Sequence, residues 1–148
     1  MGCRTRVMAN VYDKNNEISF SRGNLSFTTI NLPRLAILSN GDVKEFFNKL
    51  DDMLELCIDQ LLERFEIQCR QVKNYPFLMG QGIWLGSDKL KPDDEVREVL
   101  KHGTLTVGFI GLAETLKALI GYHHGESEQA QALGLKIVGH MAEAMDEA

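Results

Sequence analysis

Apolar and polar residues alternate over residues 18–38, and this alternation predicts β-structure. Leu25 and Phe27 recur at a period of two in a stretch rich in Thr and Ile, which is typical of strands. We expect Gly23 to divide the run into two strands or to mark a bulge. Pro33 should end the strand or lie where its missing N–H does no harm.

A second pattern, with apolar residues at helical spacing, predicts one long helix over about residues 43–72. Asp42 with Glu45 three residues later fits a capping box with Asp in place of Ser or Thr. At roughly 30 residues the helix would extend ~45 Å, so we expect it to pack against a partner or a larger body. Its apolar stripe consists of Phe46, Phe47, Leu50, Leu54, Cys57, Ile58, Leu61, Leu62 and Phe65.

The remaining pattern predicts alternating strands and helices. An apolar, glycine-containing loop at 74–92 should be packed onto other residues, because loops are normally polar. Strands that alternate with helices indicate an α/β architecture with some parallel pairing. The expected elements are a short helix at 93–100, a buried strand at 104–110, a helix at about 111–120 and a last helix at about 127–145.

Length and composition narrow the class of protein. The 148 residues are enough for one domain with a real core, and the net charge of −5 argues against a nucleic-acid partner. No apolar run has the length of a membrane span and no signal peptide is present, so we expect a cytoplasmic protein without a membrane partner. The three cysteines suit a reducing compartment rather than a disulfide framework.

Cys3 is the sharpest candidate for chemistry. A free cysteine is usually a small buried hydrophobe, which is our interpretation of Cys57 and Cys69, but the nearby Arg4 and Arg6 favour a thiolate at Cys3. A turn-rich stretch at 12–17 follows, so the simplest geometry runs out and back and brings Cys3 near Asn24. On its own, Asn24 after Gly23 is best interpreted as a turn residue.

The second half of the chain offers weaker candidates. His123 and His124 are adjacent and point in different directions, and no third ligand has matching spacing, so we do not expect a metal there. Gly111 and Ser127 precede helices. Each is a candidate substrate-binding position at a helix start that faces an anion. The alternatives are plain strand–helix packing at Gly111 and an ordinary N-cap at Ser127, which is favoured.

Six stretches together match a known family in order and spacing. They are MGCRTRV at 1–7, RGNLSFTTINLPRLAI at 22–37, KNYPFLMGQGIW at 73–84, LKHGTLTVGFIGLAETLKALIG at 100–121, HHGES at 123–127 and AQALGLKIVGHM at 130–141. In these stretches the chain resembles the anaerobic (class III) ribonucleoside-triphosphate reductases of the glycyl radical enzyme superfamily.

The resemblance implies a fold, a reaction and site residues. The fold is a ten-stranded α/β barrel with Cys3 on a loop tip inside it. Cys3 matches the cysteine that becomes a transient thiyl radical and removes the 3′ hydrogen of a ribonucleoside triphosphate. Asn24 and Met1 match further residues of that site, and formate is the implied reductant. A dry, enclosed site protects such a radical.

The resemblance also implies components outside this chain, and we expect no cofactor within it. These components are a glycyl radical made by an iron–sulfur, S-adenosylmethionine-dependent activating enzyme, and a structural zinc. The chain begins at Met1 within what looks like functional sequence, as if cut from a longer protein. We therefore expect residues 1–148 to be a single fragment of the catalytic barrel domain. Its parts would be a cysteine loop with strands at 1–38, a long helix at 42–73, a packed loop at 74–92, and a helix, a strand and two helices at 93–148.

Such a fragment should be inactive alone. It would need the remaining segments of the reductase as partners, and its exposed strand edges predict self-association, for example as a homo-oligomer. Two alternatives stay open. One is a non-catalytic binding or assembly module that keeps the fold. The other is another glycyl radical enzyme such as a formate acetyltransferase, although those enzymes carry two adjacent cysteines at the loop tip.

Overall fold

The computed structural model describes residue 7 and residues 9–148 as a mixed α/β structure with a two-stranded sheet. Thr104 N donates to the Gly23 carbonyl at 3.1 Å, and further along the strands Gly108 lies beside Thr29. The two strands therefore run in the same direction, which confirms the predicted parallel pairing. The elements are β1 (Asn24–Asn31), α1 (Leu32–Leu38), α2 (Val43–Gln68), α3 (Arg97–Leu100), β2 (Thr104–Ile110), α4 (Leu112–Ile120) and α5 (Glu128–Glu147).

The described residues form two compact units, each with its own apolar core. Unit 1 contains the residues up to Phe27 and Leu61–Thr106, and unit 2 contains Thr28–Gln60 and Val107–Ala148. The expectation that residues 1–148 belong to one catalytic barrel domain stays a prediction. The core of unit 1 is built from Cys69, Val72, Met79, Trp84, Val96, Val99 and Leu100. The core of unit 2 is built from Ile30, Leu32, Leu35, Ala36, Phe46, Leu50, Leu54, Cys57, Leu116, Leu119, Ile137 and Met141.

The start of α2 follows the sequence prediction. Asp42 Oδ1 accepts hydrogen bonds from the backbone N–H groups of Lys44 at 2.8 Å and Glu45 at 3.1 Å. These bonds satisfy two of the four donors that every helix start leaves open. The cap by Asp42 is therefore confirmed. The predicted role of Glu45 in a capping box is wrong, because the Asp42 N–H donates to the Ser39 carbonyl at 2.9 Å and the Glu45 carboxylate pairs with Lys49 at 2.8 Å.

The predicted β-structure at 18–38 is wrong at both ends, because β1 covers only Asn24–Asn31. Residues 32–38 form helix α1 instead. The Asn31 side chain accepts from the Arg34 N–H as an N-cap, and Pro33 lies in the first turn, where a missing N–H costs no helical bond. Leu32, Leu35 and Ala36 are then buried at helical spacing. An apolar run that seemed to continue the strand therefore belongs to a helix.

The long helix ends at Gln68 rather than near residue 72, and the next helix starts at Arg97 rather than 93. Both differences have one cause. Residues 70–72 pair with residues 94–96: Val72 N donates to the Asp94 carbonyl at 3.0 Å, and Val96 N donates to the Arg70 carbonyl at 2.8 Å. This extended pairing takes the backbone groups that a helix would use.

The loop at 74–92 is only partly packed. Met79 and Trp84 are buried, and Trp84 Nε1 donates to the Val99 carbonyl at 2.7 Å. Phe77 and Ile83 are exposed. In the part of the chain that the structure describes, no helix is both long enough and apolar enough to cross a membrane.

Candidate active site

Asn24 is the predicted site residue whose surroundings the structure describes best. It is the first residue of β1, so the interpretation of Asn24 as a turn residue is wrong. Its Oδ1 accepts hydrogen bonds from the hydroxyl groups of Thr104 and Thr106, the latter at 3.0 Å. Both threonines belong to β2. Because a carbonyl oxygen has two lone pairs, these bonds fix the amide, and the NH₂ group is the end that can donate to a ligand.

A cavity of about 450 Å³ lies beside Asn24 in unit 1. Arg64 on α2 reaches it, and Arg64 Nη1 donates to Ser26 Oγ at 3.2 Å and to the Phe27 carbonyl at 3.1 Å. The lining residues are Asn24, Leu25, Ser26, Phe27 and Arg64. Sequence reasoning missed Arg64. Its signal is that Arg64 is the one cation among the charged residues at 51–68, where all the others are Asp or Glu.

Arg22, two residues before Asn24, ties three chain segments together. Its side chain is buried. Nε and Nη2 donate to the Ile18 carbonyl at 2.8 and 2.6 Å, and Nη1 donates to the carbonyls of Ala9 at 3.2 Å and His102 at 3.1 Å. The chain from Ala9 therefore returns to Arg22, and the bond to His102 ties both to the residues just before β2.

A second contact supports this return. Asn10 is buried, and its Nδ2 donates to the Asn16 carbonyl at 3.2 Å and lies 3.2 Å from His102 Nδ1. Asn10 Oδ1 accepts from the Asp13 N–H at 3.0 Å, and Asn16 N donates back to the Asp13 carbonyl at 3.0 Å. The predicted turn at 12–17 is therefore present. Asn10 therefore connects this turn to His102, which lies two residues before β2.

Cys3 and Met1 lie outside the described residues, so their roles stay predictions. The other two cysteines are buried. Burial also raises the pKa of the Cys69 thiol, which opposes thiolate formation. Both agree with the interpretation of Cys57 and Cys69 as structural residues.

The structure shows how Gly111 and Ser127 are used at helix starts. Gly111 has φ +74° and precedes α4, and a Cβ there would lie 2.3 Å from Pro33 Cγ. Its glycine is therefore needed for strand–helix packing. Ser127 Oγ accepts from the Ala130 N–H at 3.0 Å, an ordinary N-cap for α5. Substrate binding at either position stays a prediction.

His123 and Glu126 form a local turn before α5. His123 N donates to Glu126 Oε2 at 2.9 Å, and this bond is the main reason that the pKa of the Glu126 carboxyl lies below its ordinary value. Gly125 N donates to His123 Nδ1 at 3.0 Å. Among the described residues, no group of three or more His, Cys, Asp or Glu side chains is arranged to hold a metal ion.

The described residues form a mixed α/β structure with a cavity beside the first residues of β1. The family model for anaerobic ribonucleoside-triphosphate reductase matches residues 1–148. The chain therefore belongs to this family, which confirms the resemblance seen in the sequence.

Curated relatives agree with this assignment. The anaerobic ribonucleoside-triphosphate reductase of Salmonella typhimurium is 34% identical over 151 residues, and that of Escherichia coli is 32% identical over 151 residues. Each match covers 99% of this chain. The protein of the same name from Enterobacteria phage T4 is 31% identical over 128 residues, which is 82% of this chain. The chain spans only 21% of the length of each of these relatives.

Proposed function

We propose that this chain supplies the radical cysteine and part of the ribose site of an anaerobic ribonucleotide reductase. The enzyme would convert ribonucleoside triphosphates to deoxyribonucleoside triphosphates with formate as reductant. The observation that carries the proposal is the family match over residues 1–148. It includes Cys3 and the asparagine that the structure places at a cavity.

The proposed chemistry begins at Cys3. The Cys3 thiyl radical removes the ribose 3′ hydrogen, so an S–H bond forms, the C3′–H bond breaks and the unpaired electron moves to C3′. The 2′ hydroxyl then leaves as water, and formate is oxidised to carbon dioxide. The hydrogen finally returns from the Cys3 sulfur to C3′, which breaks the S–H bond and restores the thiyl radical. The sum is balanced: ribonucleotide, formate and one proton give deoxyribonucleotide, carbon dioxide and water. A glycyl radical outside residues 1–148 would supply the unpaired electron.

Asn24 would orient the reactants without adding charge. Its Oδ1 is held by the hydroxyl groups of Thr104 and Thr106, so its NH₂ group keeps one direction throughout the reaction. A fixed neutral donor can hydrogen-bond a ribose hydroxyl or a formate oxygen, and such positioning costs no reorganisation at the moment of reaction. Met1 would line the same site.

The other parts of the enzyme would come from outside this chain. We propose the ten-stranded barrel as the complete fold, the remaining reductase segments and a radical-generating activating enzyme as partners, and the cytoplasm as the compartment. The structural zinc would belong to another segment. The chain alone would self-associate and would not turn over.

Co-expression with the remaining segments of the reductase tests the proposal. Anaerobic formation of a deoxyribonucleotide should appear only in the presence of those segments, and Cys3→Ala should abolish it. Cys57→Ala is the matched control, because this buried cysteine lies in the core of unit 2 and should leave at least about half of the activity. Full activity in the Cys3→Ala variant would contradict the proposal, and so would turnover by the 148-residue chain alone.

A further inference from the structure

Two threonines of β2 face Asn24 because of the register of the sheet. Thr104 and Thr106 are two residues apart on β2, so their side chains leave the same face of the strand. Thr104 N donates to the Gly23 carbonyl at 3.1 Å, and in a parallel pair this bond places Thr104 opposite Asn24. Side chains of opposite residues share one face of a sheet. The register therefore brings both hydroxyl groups to the Asn24 amide.

Gly103, immediately before Thr104, lets the two strands approach closely at this level. A Cβ at Gly103 would lie 2.6 Å from Leu25 Cγ and 2.9 Å from the Gly23 carbonyl oxygen. Both distances are too short for a real Cβ atom, so a larger residue at position 103 would move β2 away from the start of β1. The close approach of the strands therefore lies directly beside the contacts between the threonines and Asn24.

Both threonine hydroxyl groups donate to the same oxygen. Thr104 Oγ1 and Thr106 Oγ1 donate to Asn24 Oδ1, Thr106 at 3.0 Å. A hydroxyl group has one proton to donate and an amide oxygen has two lone pairs, so the two bonds use both lone pairs of Oδ1. The Asn24 amide cannot rotate without breaking both bonds. All three side chains are half-buried, so water replaces such bonds only in part.

We propose that Thr104 and Thr106 are positioning residues of the reaction, which act through Asn24 and make its NH₂ group the end that faces the reactants. The inference rests on the proposed function and deepens it, because it selects the kind of atom that Asn24 contacts. That atom must accept a hydrogen bond, as an oxygen of formate or of the ribose does. The competing interpretation is that the threonines, which are common in strands, only tie β2 to β1.

Two double variants of the assembled reductase separate hydrogen-bond donation from packing. Thr104→Val/Thr106→Val keeps the branched shape of both side chains and removes both donors, and we expect kcat to fall at least about tenfold. Thr104→Ser/Thr106→Ser removes the methyl groups and keeps both donors, and it should retain at least about half of kcat. The control Thr29→Val makes the same isosteric change at an exposed position of β1 and should change kcat less than about twofold.

A packing role predicts the opposite order, because valine preserves the shape of threonine better than serine does. An active valine variant with an impaired serine variant would therefore overturn the proposal, and so would equal activities of the two variants. If the valine variant does not fold, Thr106→Ala and Thr106→Ser supply the same comparison at one position, with the serine variant expected to be more active. A wild-type reductase without turnover would contradict the proposed function, whereas an active wild type with an equally active valine variant would contradict only the positioning role.

Discussion

Replacing Arg22 by methionine tests whether one buried guanidinium holds the chain before β1 in place. The Arg22 side chain is only 9% exposed. It donates to the carbonyls of Ile18, Ala9 and His102 over distances of 2.6 to 3.2 Å. Methionine keeps much of the length and the apolar stem of arginine but removes every donor.

The magnitude follows from the acceptors that lose their donor. A hydrogen bond to a charged group contributes about 1.5–3 kcal/mol net, and three carbonyls among the described residues accept from Arg22. Ala9 is exposed, so water replaces part of its bond, and removing a buried charge recovers some desolvation free energy. We therefore expect Arg22→Met to lower the free energy of unfolding of unit 1 by about 3 kcal/mol. Arg22→Lys should cost about 2 kcal/mol, because one ammonium cannot reach all three acceptors.

Urea unfolding followed by fluorescence of Trp84, the single tryptophan, measures this loss. Trp84 is buried in unit 1, and its ring lies 3.7 Å from the Cβ position of Gly23. The control is Arg70→Met, which removes an exposed arginine with one local bond to the Ile67 carbonyl and should cost less than about 0.5 kcal/mol. A loss below about 1 kcal/mol for Arg22→Met, or a loss equal to that of the control, would refute the reasoning.

Two further predictions concern stability. Gly111→Ala should lower the free energy of unfolding by about 3 kcal/mol, because φ is +74° and the new Cβ meets Pro33. Gly121→Ala, at φ +85° with no neighbouring atom within 4 Å in the described part of the chain, should lower it by only about 1 kcal/mol. Urea unfolding followed by circular dichroism measures both losses, and equal losses would contradict this prediction. The hydrogen bond from Arg97 holds the pKa of the Glu66 carboxyl below its ordinary value. The stabilisation by this hydrogen bond is therefore complete above the pKa of Glu66 in the unfolded chain, and it is lost as pH falls through the pKa of Glu66 in the folded chain. The difference in unfolding free energy between wild type and Glu66→Gln should shrink over that acidic range, and a constant difference would contradict the assignment.

Some elements could be predicted from the pattern of neighbouring residues alone. The cap by Asp42, β2 and the last two helices follow from residues close in sequence, and the structure places them where predicted to within two residues. The prediction that β2 is buried is wrong, because its residues are half-buried or exposed. The failures come from contacts between distant residues. The end of α2 depends on pairing between residues 70–72 and 94–96, which no local periodicity reveals. Residues 32–38 fit either pattern until Asn31 caps them as a helix.

The candidate site shows the same division. The resemblance to the family pointed to Cys3 and Asn24 as site residues, because the family motifs match this chain in order and spacing. The partners of Asn24 are 80 and 82 residues away, and Arg64 reaches β1 across 38 residues to Ser26. Such contacts exist only in the folded chain. Which residues carry the chemistry is therefore a prediction from the sequence, and the structure shows what orients Asn24.

The central claim is that Cys3 removes the ribose 3′ hydrogen. The most direct test supplies the reductase, assembled from this chain and its remaining segments, with a ribonucleoside triphosphate that carries deuterium at C3′, under anaerobic conditions. We expect slower formation of the deoxyribonucleotide from the deuterated substrate, none with Cys3→Ala, and the same isotope effect with Cys57→Ala as with the wild type. Deoxyribonucleotide formation by the Cys3→Ala variant at the wild-type rate would contradict the claim.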